Sequence, residues 1–235
     1  MHPSSMHYFP LSGLFVLALF LLIILVIALI ELRILGYAYE KMGIDRRHVY
    51  VLLFLSLIGS YINIPVAQLP KEEVISDREV WSYGVPYVVP YVEEWPRTIV
   101  AVNVGGAVIP TLLSLYLLVK NQLYLRALIG VGVVTAIVHW LAKPVEGVGI
   151  SVPIFIPPLA AAGVALLLSW RRAPPLAYIS GSLGTLIGAD LLNLHEIQGL
   201  HAPVASIGGA GTFDGIFVTG ILAVLLSPVA RTQRY

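Results

Sequence analysis

The chain has 235 residues, 58% of them hydrophobic and 11% charged, with a mean hydropathy of +0.88. Soluble domains carry about a quarter charged residues, so this composition points to an integral membrane protein. Cysteine is absent, which excludes disulfides, thiolate metal centres, iron–sulfur clusters and a cysteine nucleophile. A net charge of +1 leaves no basic surface for nucleic acid once loop charges are assigned to topology.

A helix crossing the hydrocarbon needs about 20 mostly apolar residues. Hydropathy predicts seven such spans, approximately 11–36, 49–68, 98–119, 123–141, 152–170, 176–194 and 207–228, in one polytopic all-α membrane domain covering 1–235. The first is longer than a bilayer needs and is expected to tilt or project. It is too long for a signal peptide and lacks a charged start and a small-residue cleavage site, so it is read as a retained span. Between the second and third spans, 69–97 forms the one sizeable polar connection. It carries Glu72, Glu73, Asp77, Glu79, Glu93 and Glu94 beside the run Trp81-Ser-Tyr-Gly-Val-Pro-Tyr-Val-Val-Pro-Tyr. Its prolines oppose a regular helix, and its aromatics suit the membrane–water interface. An extended or hairpin-like outer loop is expected.

Basic residues then set the sidedness. Arg33, Lys41, Arg46, Arg47, Lys120, Arg126, Arg171, Arg172, Arg231 and Arg234 fall on one side, and Lys71, Arg78, Arg97 and Lys143 on the other. Seven spans place the N-terminus outside and the C-terminus in the cytoplasm of a cell-membrane protein.

Two carboxylates stand inside the last two spans, Asp190 in Gly184-Thr-Leu-Ile-Gly-Ala-Asp190 and Asp214 in Gly208-Gly-Ala-Gly-Thr-Phe-Asp214-Gly215. An ionisable group at membrane depth is costly unless paired, hydrated or protonated, and marks a functional site by default. At 1.5 Å per residue, Asp190 sits roughly 6 Å short of the outer end of span six and Asp214 roughly 10 Å into span seven. The short connection between these spans makes them antiparallel neighbours, with the carboxylates at similar depth. Ser180, Gly184 and Gly188 recur every four residues on span six, as do Gly211 and Gly215 on span seven. Such spacing lets membrane helices approach closely, and is expected to bring spans six and seven together. Asn193 lies three residues beyond Asp190, on the same helical face. Asn63 and Asn103 lie at a similar outer level.

Two like charges held close cannot both ionise, so one proton is shared. One carboxylate then acts as general base on a water while the other, as acid, protonates a carbonyl. Gly209-Ala-Gly211-Thr-Phe-Asp214-Gly215 resembles the Gly-x-Gly-Asp signature of the presenilin and signal peptide peptidase class of intramembrane aspartyl proteases. That resemblance implies catalytic roles for Asp190 and Asp214 on the sixth and seventh spans, with Gly188, Asn193, Gly209, Gly211 and Gly215 completing the motif. Pro157-Pro158-Leu159 resembles the Pro-Ala-Leu element of the same class, which implies substrate positioning. Thr212 and Phe213 separate the glycines from Asp214, Ala189 stands where the class has tyrosine, and Pro157–Leu159 precedes the aspartates rather than following them. The chain also resembles an uncharacterised prokaryotic, largely archaeal, multi-span membrane family, which implies no activity.

Other chemistries share these residues. Buried Asp with Asn and broken helices is how transporters hold a coupling cation or proton. His139, His195, Glu196 and His201 could join the aspartates around a metal, although His195-Glu196 lacks the second His of a zincin helix. A purely structural pair, with Asp190 bonded to Asn193 or to backbone and Asp214 capping the loosened start of span seven, is the remaining reading. The expected partners are the lipid bilayer and, for a protease, a transmembrane-helix substrate, with no cofactor and no nucleic acid. The oligomeric state stays open, because apolar helix faces suit lipid and a second copy alike.

Overall fold

The computed structural model of the chain describes residues 13–70, 72–82, 85–95, 97–145, 149–197, 202–209 and 215–228. The chain is mostly helical, with α1 (Gly13–Lys41), α2 (Arg46–Gly59), α3 (Ile109–Asn121), α4 (Tyr124–Leu141), α5 (Ile156–Leu168), α6 (Ala173–Thr185) and α7 (Gly215–Leu226). Strands interrupt this pattern: β1 (Asn63–Gln68), β2 (Glu72–Ser82), β3 (Val85–Trp95), β4 (Ile99–Asn103), β5 (Lys143–Val145), β6 (Gly149–Ser151) and β7 (Val204–Ile207). The all-α expectation is therefore corrected.

Three helical stretches, Val16–Lys41, Val104–Asn121 and Tyr124–Leu141, are long and apolar enough to cross a membrane. Elsewhere the predicted spans are shorter as helix. Span two breaks after Gly59, and its last third is β1. Span three opens as β4, span seven begins with Ile207, the last residue of β7, and its described helix is α7. At 1.5 Å per residue, the 14, 13 and 12 residues of α2, α5 and α7 extend roughly 18–21 Å, against about 30 Å of hydrocarbon. The interruptions have a local cause. Asn63-Ile-Pro65 removes a helical donor, and Ile62, Ile64, Val66, Ile99, Val100, Val102, Val204 and Ile207 are β-branched residues that favour strands.

The strands form a three-stranded sheet in the order β1-β4-β7 and two separate hairpins, β2-β3 and β5-β6. Asn63 pairs with Asn103 across antiparallel β1 and β4, while β7 runs parallel to β4 with Ile99 opposite Val204 and Val102 opposite Ile207. Open strand edges are not tolerated in lipid hydrocarbon, so this sheet belongs at the rim of a membrane domain or in a water-filled recess. The 69–97 connection is an uninterrupted antiparallel ribbon from Glu72–Trp95 to Ser82–Val85, in keeping with the expected hairpin. Val80, Trp81, Val85, Tyr87 and Val88 near its turn are exposed. Proline cannot donate to a ladder, so Pro86 and Pro90, opposite Trp81 and Asp77, occupy positions whose N–H would face away from β2. The outer edge of β3 thus lacks donors at two sites, which blocks addition of a further strand.

The helices pack around α6, which touches α3, α4, α5 and α7 and is buried at every residue except Leu183. A helix apolar on all sides needs such a central place. Leu176, Tyr178 and Ile179 meet Leu117, Val134, Ala161, Ala165, Phe217 and Val224 in the main core. By contrast, α1 is exposed through most of its length and joins the core only near its end, through Ala38 and Tyr39.

The helices alternate in direction, so the basic residues gather at one end. There Lys41 Nζ donates to Leu225 O at 3.0 Å, Lys120 Nζ to Gly43 O at 2.6 Å, and Arg172 to Asn121 O. The three-stranded sheet and Asp190 occupy the other end.

Small residues explain the close helix contacts, and α6 does pack on α7 as expected, but the Ser180–Gly184–Gly188 stripe faces a different helix. A Cβ on Gly184 would stand 2.7 Å from Val134 Cβ, and one on Gly188 would stand 2.6 Å from Thr135 O. Gly130 likewise faces Ser180. The Ser180–Gly184–Gly188 stripe therefore seats α6 against α4. The α6–α7 contact uses Gly181 against Thr219 and Gly220 against Ser182 and Tyr178, while a Cβ on Gly215 would meet nothing within 4 Å. Gly211 lies outside the described residues. Small-xxx-small spacing signals a close approach without naming the partner, and here the partner is α4.

Candidate polar site at the sheet end

Beyond Thr185 the central helix widens into a π-helical segment, Leu186–Leu191, and a second such segment, Val104–Val108, leads into α3. Single π turns of this kind are rare and concentrate at functional sites. Each widening frees backbone groups, and asparagines take them up. Asn193 Nδ2 donates to Gly188 O at 2.8 Å and Ala189 O at 2.9 Å, closing the end of the first segment. Asn103, fully buried, accepts from Gly106 N at 2.7 Å and opens the second.

Asp190 is carried on the first π segment. Its Oδ2 accepts the Gly208 N–H at 2.7 Å, immediately past β7. Gly208 and Gly209 have φ of +87 and +78°, a conformation open to glycine at little cost. A Cβ on Gly208 would meet Ala107 Cβ and the Ala107 backbone nitrogen, each at 2.6 Å. Gly208 is thus the point where the two π segments and the end of β7 come together.

A polar network adjoins this junction. Asn103 Nδ2 donates to Ser60 O at 2.7 Å and to Asn63 Oδ1 at 3.1 Å. Ser206 Oγ lies 2.7 Å from Asn63 Oδ1 and 2.6 Å from Gly209 O, and its single hydrogen can serve one of them at a time. The network links the end of α2 with β1 and β4, pieces of the interrupted spans two and three, and with β7 in the connection just before span seven.

Asp214, Gly211 and His201 lie outside the described residues. Asp214 directly precedes α7, whose Ile216 packs with Leu186 and Ala107 in a small apolar cluster. The N-terminal turn of α7 is therefore beside the segment that carries Asp190. Pro157 and Pro158 are buried in the first turn of α5, and Leu159 is exposed. His139 is exposed at the end of α4. His195 Nε2 lies 3.1 Å from Glu196 Oε1 in a pair whose side chains are largely exposed. Among the described residues, no three His, Asp or Glu side chains come together in a way that could hold a metal ion.

Sequence reasoning placed Asn63, Asn103 and Asp190 at a common level, and quoted Gly208 only as part of a glycine run. It missed Ser60 and Ser206. The role of Ser60 rests on its backbone carbonyl, to which any residue type contributes equally. Ser206 is an ordinary strand residue until β7 pairs with β4.

Fold and site together define a predominantly helical protein with three helical stretches long and apolar enough to cross a membrane, and a polar junction where interrupted helices meet a small sheet. The chain belongs to the DUF1614 family, described as a protein of unknown function, whose model matches residues 57–226. No curated protein and no solved structure is similar to it.

Proposed function

We propose that the junction is the active site of an intramembrane aspartyl protease, in which Asp190 and Asp214 share a proton and activate water for peptide-bond hydrolysis. The observation that carries this reading is the packing of Ile216 on Leu186. It brings the turn that follows Asp214 to the segment bearing Asp190. A further observation supports a peptide substrate. β7 is at the edge of its sheet, and its last residue precedes the amide that holds Asp190 Oδ2. Extended peptides bind by adding a strand to such an edge, which would run the substrate backbone past the carboxylate. One carboxylate takes a proton from water as the other donates one to the scissile carbonyl.

Asp190→Asn and Asp214→Asn, each reconstituted with a transmembrane-helix substrate, should lose cleavage by at least about 10²-fold while remaining folded. Asn keeps an oxygen able to accept the Gly208 N–H, so stability should survive in the first variant. Retained cleavage in either well-folded variant refutes the dyad.

A second reading, cation- or proton-coupled transport, is favoured by a separate observation. Asn63 Oδ1, Ser206 Oγ, Gly209 O and Ser60 O cluster around interrupted helices, the oxygen-rich setting that suits a hard cation. It predicts ion-dependent thermal stabilisation that is lost in Asn63→Ala and Asp190→Asn. A melting temperature indifferent to the ion would argue against it.

A further inference from the structure

The opposite end of the molecule holds a second feature, unrelated to Asp190. A cavity of about 760 Å³ opens between the α3–α4 and α5–α6 connections, and three arginines line it: Arg126, Arg171 and Arg172. Among the described residues, no carboxylate lines it. Arg126 is in the first turn of α4 and donates to Ser169 Oγ at 3.2 Å. Arg172 donates to Asn121 O. Both guanidinium groups are therefore steered by bonds that leave further N–H donors available, since each carries five. Arg171 has no hydrogen bond or ion pair among the described residues. Three like charges with no counter-charge repel one another, and an anion in the cavity relieves that repulsion. Guanidinium forks match phosphate oxygens in pairs, which makes arginine the residue suited to this ligand.

The rim of the cavity differs from its floor. Leu125 and Trp170 border it and are 70% and 65% exposed, and Leu167, a turn before, is 89% exposed. These are large apolar groups left mostly uncovered by the described residues. They flank the arginines at the end of helices whose faces are apolar, and tryptophan favours the interfacial layer. A cationic floor beside an uncovered apolar wall is complementary to one kind of molecule, with a negative head and hydrocarbon tails.

We infer that this cavity is a binding site for the phosphate headgroup of an anionic phospholipid, with acyl chains running over Leu125, Leu167 and Trp170. Basic pockets between membrane helices recognise anionic headgroups in this way. The site stands whether or not Asp190 is hydrolytic.

The test uses the full chain purified in mild detergent. Thermal unfolding is followed while phosphatidylglycerol, phosphatidylcholine of the same chains, or inorganic phosphate is added, and native mass spectrometry counts bound lipid. Phosphatidylglycerol should raise the melting temperature and saturate at one tightly bound lipid per chain, with phosphatidylcholine and phosphate giving no comparable shift. Arg171→Ala should weaken the phosphatidylglycerol effect about tenfold or more, the loss expected for a charge-assisted hydrogen bond. It should leave the lipid-free melting temperature unchanged, because Arg171 makes no hydrogen bond or ion pair among the described residues. Arg47→Ala, which removes an exposed cation at the same end, should leave the effect intact. An equal phosphatidylglycerol response in Arg171→Ala and wild type overturns the proposal. So does an equal loss in Arg47→Ala, which would indicate general surface attraction, or a full shift with phosphate alone, which would indicate a free-anion site.

Discussion

Gly208 and Gly43 share nearly the same left-handed backbone, with φ of +87 and +83°, but not the same surroundings. A Cβ on Gly43 would meet nothing within 4 Å, whereas one on Gly208 would stand 2.6 Å from Ala107 Cβ and from the Ala107 backbone nitrogen. Left-handed backbone costs a non-glycine residue about 1–2 kcal/mol, and overpacking adds about 1–3 kcal/mol. Gly43→Ala should therefore lose about 1–2 kcal/mol of stability and Gly208→Ala about 2–5 kcal/mol. For a chain of this size one kcal/mol moves Tm by about 2–4 °C. The excess loss in Gly208→Ala should be roughly 2–12 °C, read by tryptophan fluorescence during heating in detergent. Because the Gly208 amide also holds Asp190, the effects of Gly208→Ala and Asp190→Ala should be less than additive when combined. Equal losses in the two glycine variants would refute the packing argument. Strict additivity in the double variant would refute the coupling of β7 to the π segment.

Gly188→Ala should destabilise by about 1–3 kcal/mol, because the added methyl meets the Thr135 carbonyl of α4. Gly132→Ala, in the same helix pair but facing open space, should instead stabilise by up to about 1 kcal/mol through helix propensity; opposite Tm shifts check the assignment of the stripe to α4. Shortening the β2–β3 ribbon by four residues from each strand next to its turn should leave Tm within about 2 °C, since these strands pack chiefly on each other. A larger fall would mean that the ribbon braces the helical body.

Several features were legible before any coordinates. The apolar stretch of α1 could only be a helix, because it is far longer than a strand and carries no glycine or proline at its centre. Gathering Lys41, Lys120, Arg126, Arg171 and Arg172 at one end followed from counting spans, and the helical bundle respects it. The ribbon at 72–95 was legible in its prolines and aromatics. Span two was legible only in part: Asn63-Ile-Pro65 marks a weak point in a helix, but whether the chain beyond it is strand depends on whether β4 is there to pair with it. Asp214 could be singled out by sequence, and its side chain lies outside the described residues, so the pairing of the carboxylates rests on the proposed variants.

The sequence by itself determined that this chain has stretches apolar enough to cross a membrane, which of its ends is basic, and that Asp190 stands in an apolar segment where a charge needs a reason. These are properties of composition and one-dimensional spacing, on which hydration and charge act directly. Only the tertiary structure decided what Asp190 holds, which helix the small-residue stripe faces, and that pieces of spans two and three join the chain just before span seven in one sheet. Those outcomes depend on contacts between segments far apart in the chain, where backbone groups without sequence identity, such as the Gly208 amide and the Ser60 carbonyl, select the partner.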